Sequence, residues 1–385
     1  MMSLLNKLRM LDAQAARPAP ATPVPAKALY HGSSSVPLST FCDRRHATPE
    51  VLASAFGLPQ APRLGPEDVL FLDTETTGLS GGVGTVAFLV GLGYFTPQGF
   101  TVEQFLMHDY PQEPELLSRV SAILRRYPAL CTFNGRTFDV PLLEARLTMN
   151  RLPRQCFPPL HLDVLFPSRR LWKLRLKSCT LGNLEERLLH ISREDDLPGA
   201  QVPALYFQYL KDGDFAPLER VLEHNRQDIV SLAQLFYFLC YQVNRPEAIA
   251  HGEDLLSLAR AMEKRGYLPK AMKCYRLCAK GATRAPAYNA LAQNAKRQGN
   301  VQAAVRLYQA MARRGDDPVE AYEALAKLYE HRLSDPGQAL HYTRQALLLL
   351  SEPGLFRSEA VQNRQIALQY RYARLRRRLS SAPKR

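Results

Sequence analysis

With 385 residues, 46% hydrophobic and 22% charged, the chain has the composition of a globular protein and the length for two ordinary domains. No apolar run is long enough to cross a bilayer, and Met1 to Arg9 lacks the apolar block of a secretory leader. Seven scattered cysteines argue for reduced thiols, so a cytoplasmic protein without a membrane partner is expected. A formal net charge of +14 attracts phosphate polymers through long-range Coulomb fields.

Residues 1–64 show little continuous periodicity, and the proline-rich run from Ala16 to Pro25 disfavours helix, so this stretch reads as a mobile arm. From about Pro66 strands take over: Val69 to Leu79, Val86 to Phe95 and Gly99 to Met107, with a turn at Pro97-Gln98-Gly99. This succession predicts an antiparallel meander. A helix from Glu113 to Arg126, a short strand from Ala129 to Phe133 and a helix from Val140 to Met149 follow, which predicts a mixed sheet flanked by helices.

The first of these strands ends in Asp73 and Glu75, two residues apart and therefore on one face. Two such carboxylates at the end of a buried strand repel each other, and a divalent cation is the simplest group to hold them together. A solvated strand end is the plainer reading of an isolated pair. The glycines between Ser80 and Thr85 lack G-x-G-x-x-G spacing and lead into a strand, so they read as a flexible connection near the carboxylates.

Asp139 falls at a strand-to-helix junction after Asn134-Gly135, where either an active-site acid or a helix cap belongs. The segment His161 to Phe166 reads as another short strand, with Asp163 divided between supporting a site and ordinary strand-end solvation. Arg169, Arg170, Lys173, Arg175 and Lys177 surround Trp172 in a segment that suits either a phosphate backbone or a solvated basic helix. From Pro217 to about Cys240 a long helix carries His224 and Asp228 four residues apart on one face, beside the apolar stripe of Val221, Ile229, Leu232 and Leu235.

Beyond Asp254 the pattern is helical and repetitive. Gly266, Ala271 and Tyr275 recur 33 residues later as Gly299, Ala304 and Tyr308, while Tyr288 and Leu291 recur after 34 as Tyr322 and Leu325. Three helix pairs are expected: Leu255 to Arg265 with Pro269 to Ala279, Ala285 to Gln298 with Val301 to Arg313, and Val319 to Arg332 with Pro336 to Leu350. Cys274 and Cys278 read as core residues rather than a zinc site. Phe356 to Arg385 holds nine Arg and Lys against one acid.

Asp73-x-Glu75, Asn134-Gly135-x-x-Phe138-Asp139 and His224-x-x-x-Asp228, in that order, resemble the three motifs of the DEDD (DnaQ-like) exonuclease superfamily of the ribonuclease-H-like fold. The glycine-rich connection and His224-Asn225-Arg226-Gln227-Asp228 are similar to its YprB-type branch, often fused to helical repeats. The resemblance covers about residues 65–245. It implies an α/β ribonuclease-H-like mixed sheet with flanking helices, then all-α tetratricopeptide-like repeats over 250–352 and a basic C-terminal helix and tail over 353–385.

The resemblance further implies a metal-dependent nuclease, a 3′-to-5′ exonuclease acting on DNA or RNA. Asp73, Glu75, Asp139 and Asp228 would hold two divalent cations, Mg2+ or Mn2+, and His224 would accept or orient the proton of the attacking water. Thr76, Thr77 and Leu79 match positions that touch the terminal nucleotide, and Asn134 joins them as a substrate contact. One departure stands out: the superfamily usually places Tyr four residues or His five residues before the last Asp, whereas here His stands at four. The contrasting expectation is a non-catalytic nucleic-acid-binding adaptor that recruits a protein partner through its repeats.

Overall fold

A computed structural model describes residues 27–78, 84–193, 197–351 and 358–381. Six strands form one sheet: β1 (Tyr30–Val36), β2 (Val69–Thr76), β3 (Ala87–Phe95), β4 (Phe100–Leu106), β5 (Ala129–Thr132) and β6 (Leu160–Asp163), in the order β1-β4-β3-β2-β5-β6. The meander β2-β3-β4 is antiparallel, β1 pairs antiparallel with β4, and β5 and β6 continue parallel to β2. The sheet is mixed, as expected. Its two central strands, β2 and β3, are apolar on both faces because helices cover both.

The helices of this part are α1 (Pro49–Phe56), α2 (Glu113–Leu124), α3 (Asp139–Met149), α4 (Leu165–Leu176), the single turn α5 (Leu181–Leu184), α6 (Val202–Asp212) and α7 (Ala216–Asn244). One layer packs Leu70, Leu72 and Leu92 against Leu116, Val120, Leu143 and Tyr206. The opposite layer packs Val69, Phe71 and Phe95 against Leu52, Trp172 and Phe236. The long helix α7 serves both, with Leu218 and Val221 in the first layer and Ile229, Leu232 and Phe236 in the second.

Several expectations change. The arm expected over 1–64 does not hold from Tyr30 onward, because Tyr30–Val36 adds an edge strand to β4 and Pro49–Phe56 forms a buried helix capped by Thr48. The proline-rich run itself lies outside the described residues, as do Leu79 and the glycines before Gly84. The strand expected from His161 to Phe166 stops at Asp163, and Leu165 begins a helix. Trp172 is buried at 1% exposure beside Phe238 and offers no stacking surface for bases.

Beyond residue 250 come α8 (Gly252–Lys264), α9 (Leu268–Leu277), α10 (Arg284–Arg297), α11 (Val301–Arg314), α12 (Pro318–His331), α13 (Pro336–Ser351) and α14 (Glu359–Ser380). These are the three expected helix pairs and a final helix. Gly266 and Gly299 take φ of +82° and +76° at the turns, a conformation that disfavours side chains. Ala271, Ala304 and Ala339 are fully buried, and Cys274 and Cys278 lie free in the core. The last helix is fastened by Arg364 to Glu320 and Glu323, each at 2.6 Å, and by Arg371 and Arg374 to Glu330.

The core under the sheet continues through α8 and α9 as far as Ala287. Arg175 of α4 meets the buried Asp254 of α8 at 2.7 Å, and Arg265 donates to the carbonyl oxygens of Ser54 and Ala55 at the end of α1. Arg175→Ala strands a buried carboxylate without its cation. Thermal denaturation should show a loss of about 2 kcal/mol, the 20% exposure of the Arg175 side chain holding the cost below that of a fully dry pair.

Candidate active site

Three strands supply one row beneath α7. Asp73, Gly91 and Gln104 are paired side by side across β2, β3 and β4, so their side chains face the same way. Asn225 of α7 lies on this row, fully buried. Its amide donates to Asp73 Oδ2 at 2.9 Å, and its carbonyl oxygen accepts from Gln104 Nε2 at 2.9 Å. Gln104 also donates to the Leu222 carbonyl at 2.7 Å.

Glycine is required in the middle of the row, since a Cβ on Gly91 would stand 2.2 Å from Asn225 Oδ1. Two residues along, a Cβ on Gly93 would stand 2.4 Å from Ile229 Cγ2. The two glycines bring α7 onto the sheet. Gly91→Ala must displace Asn225 and leave buried polar groups unpaired, so chemical denaturation should show a loss of about 2 kcal/mol or more.

The seating of α7 carries its next turn to the end of β2. His224 Nε2 lies 3.5 Å from Asp228 Oδ2 and 3.8 Å from Glu75 Oε1, and one ligand atom from each of Glu75, His224 and Asp228 falls within 4.8 Å of the others. Asp139 is the first residue of α3 and does not cap it with its side chain. Its Oδ1 instead accepts from Thr74 Oγ1 at 2.6 Å, which ties α3 to the residue between Asp73 and Glu75. The far end of α3 is fixed by Arg146 and Asn150, which donate to the buried Glu113 of α2 at 2.5–2.9 Å.

These acids are brought close enough to perturb one another. Burial pushes the Asp73 carboxyl well above its ordinary range, repulsion from Asp228, Glu75 and Asp139 adds to this, and the Asn225 bond partly opposes it. Glu75 is pushed up to about 8 by burial and by Asp228 and Asp139. Burial raises Asp139 to about 6 against the bond from Thr74. Glu75, His224 and Asp228 converge as a donor set that would suit a hard divalent cation, with Asp73 and Asp139 in electrostatic reach. A cation there would favour the ionised acids and relieve their repulsion.

The other expected residues have local duties. Thr76 Oγ1 donates to the Gly78 carbonyl at 2.8 Å, and Thr77 Oγ1 accepts from the Val86 amide at 3.0 Å, so both hydroxyls shape the β2–β3 connection beside the site. Asn134 is exposed at φ +69°, and its Oδ1 accepts from Thr137 Oγ1 at 2.8 Å. Asp163 is buried and accepts backbone N–H bonds from Asn134, Arg136 and Leu165 at 3.0–3.1 Å. It therefore moulds the loop leading to Asp139.

Arg193 was not indicated by any motif. Its guanidinium donates to Asp228 Oδ1 and to the buried Glu185, and Nη1 lies 3.3 Å from His224 Nδ1. Gln104 was not indicated either, and Asn225 stood in the His224-to-Asp228 block without a role of its own, although two glycines spaced by two inside a strand are a legible sign that another backbone approaches.

The family model RNase_H_2, of the RNase_H superfamily, matches residues 70–240, the span holding all these groups. YprB of Bacillus subtilis (strain 168), described as an uncharacterized protein, is 31% identical over 326 residues, covering 82% of this chain and 76% of its own. The chain belongs to one family with YprB, and residues 70–240 form its RNase-H-like domain. Its RNase-H-like sheet carries the acids on the central strand β2 and on the helices α3 and α7. The RNase-H-like domain points to a nuclease. The family B DNA polymerase of the hyperthermophilic archaeon Pyrobaculum calidifontis is similar over 53% of this chain and 30% of its own, with a TM-score of 0.37 and 14% identity.

Proposed function

We propose that this protein is a metal-dependent nuclease that shortens DNA or RNA strands from the 3′ end. The observation that supports it is the meeting of Asp73, Glu75, Asp139 and Asp228, from three separate elements, in one perturbed cluster with His224. The four carboxylates would hold two divalent cations, Mg2+ or Mn2+. Bound there, the cations supply positive charge to the attacking and departing oxygens of a phosphodiester.

The chain's own groups account for the rest. Asn225 holds the Asp73 carboxylate in one orientation, and Thr74 does the same for Asp139, so two of the acids are aimed before any ligand arrives. His224 sits one helical turn before Asp228 and faces Glu75, where its ring nitrogen can accept a proton from the attacking water. The position four residues before the last acid thus serves the role that the superfamily usually gives to a histidine at five. Thr76, Thr77 and Leu79 would border the terminal nucleotide, with Asn134 nearby. The helix pairs of 250–352, read as tetratricopeptide-like, would offer a platform for a protein partner.

The test uses the purified protein with a 5′-labelled single strand and Mn2+ or Mg2+. Products that shorten progressively with time, and vanish on chelation, are expected. Internal cuts at fixed positions, or cleavage indifferent to chelation, would refute the assignment.

A further inference from the structure

Arg193 holds a position in the acidic cluster that needs a reason. The chain reaches it through a π-helical turn, Glu185–Leu189, which ends in the left-handed His190 at φ +56° and returns the next residues toward α7. Wide turns of this kind are common where a side chain is aimed into a functional site. Glu185, at the start of the turn, is 1% exposed, and the Arg193 side chain is 14% exposed. One guanidinium is thus shared between a buried carboxylate behind it and Asp228 in front, with His224 alongside.

A guanidinium and a divalent cation compete for the same oxygen. Asp228 Oδ1, where Arg193 donates, is an oxygen that a bound cation would claim in the function proposed above, on which this inference rests. Glu185 has a different place: its anchorage keeps the guanidinium at the site after Asp228 lets go. A cation fixed from behind and released in front is positioned to receive a phosphate oxygen, for which the planar fork of arginine is suited.

We propose that Arg193 is a substrate-phosphate ligand held in reserve: it neutralises Asp228 in the resting site, yields that oxygen to a divalent cation, and then binds the nucleic-acid phosphate while Glu185 retains it. Both ends of the arrangement make opposite demands. Loss of the guanidinium removes the competitor for Asp228, so cation binding tightens while strand binding weakens. Neutralising Glu185 removes one carboxylate partner of Arg193 and draws the guanidinium toward Asp228, so cation binding weakens.

The experiment compares wild type, Arg193→Gln and Glu185→Gln in the full chain, by Mn2+ titration calorimetry without nucleic acid and by fluorescence anisotropy of a labelled oligonucleotide in Ca2+. Arg193→Gln should bind Mn2+ about tenfold more tightly, equivalent to about 1.4 kcal/mol, and the oligonucleotide at least about tenfold more weakly. Glu185→Gln should shift Mn2+ affinity the other way. A purely structural role would weaken both ligands in Arg193→Gln, and that result, or unchanged Mn2+ affinity, overturns the proposal. Wild-type protein that binds Mn2+ but gives no contrast sinks the role of Arg193 alone, whereas absence of Mn2+ binding in all three forms sinks the nuclease reading with it.

Discussion

Asp73→Asn is expected to reduce cleavage by a factor of about 1000 or more while leaving the chelated protein as stable as wild type or more so. The two effects come from the same charge. Under the proposed function Asp73 is a cation ligand, and an amide in its place removes one negative charge from a set of four, where electrostatic contributions to rate are largest. In the cation-free protein that same charge is a burden, since burial and three neighbouring acids already resist its ionisation. The asparagine has nearly the same shape and can still bond Asn225. Activity on a labelled strand and a denaturant melt in chelator, measured on the same preparation, test both halves. Retained cleavage would remove Asp73 from the chemistry, and a large fall in stability would show that the variant reports on folding instead.

The second large effect is a dependence of stability on pH that a divalent cation removes. Glu75 has its folded-state pKa raised from 4.5 to about 8, and Asp139 from 3.8 to about 6. For a carboxylate shifted upward, the folded protein holds its proton where the unfolded chain has lost it. The contribution is therefore complete below the unfolded value and disappears as pH rises through the folded one. Thermal melts in chelator should show falling stability from about pH 5 to pH 8, by a few kcal/mol, with each retained proton worth about 1.4 kcal/mol per pH unit. Mn2+ should flatten the curve and release protons on binding, seen as an enthalpy that depends on the buffer. Glu75→Gln should reduce the slope in chelator, with Asp73 and Asp139 supplying the remainder. A flat profile in the wild type would mean that these acids do not share a dry site.

The two effects depend on contacts with very different visibility in the sequence. Asp73 and Glu75 share a face because strand side chains alternate, and this can be read from eight residues. His224 and Asp228 share a face because a helix turns once in about four, which is equally local. The helix pairs beyond residue 250 are legible for the same reason, through periods that repeat within the chain. By contrast, β1 contains Gly32 and three consecutive serines, with hardly an apolar residue, and becomes a strand because β4 offers it a row of partners. Nothing in its own composition requires that state.

What the sequence alone determined is therefore the inventory: which short segments pair acids on one face, which helices repeat, and that a mixed sheet precedes a helical region. Backbone periodicity decides these within a few residues of chain. The tertiary structure decided what meets: Asn225 over Gly91 between Asp73 and Gln104, Thr74 on Asp139, Asp163 beneath the Asn134 loop, and Arg193 on Asp228. Those contacts join residues 27 to 152 positions apart, and they depend on strand register and on the depth at which α7 lies against the sheet. Both are set by the packing of the whole domain, which no local pattern encodes.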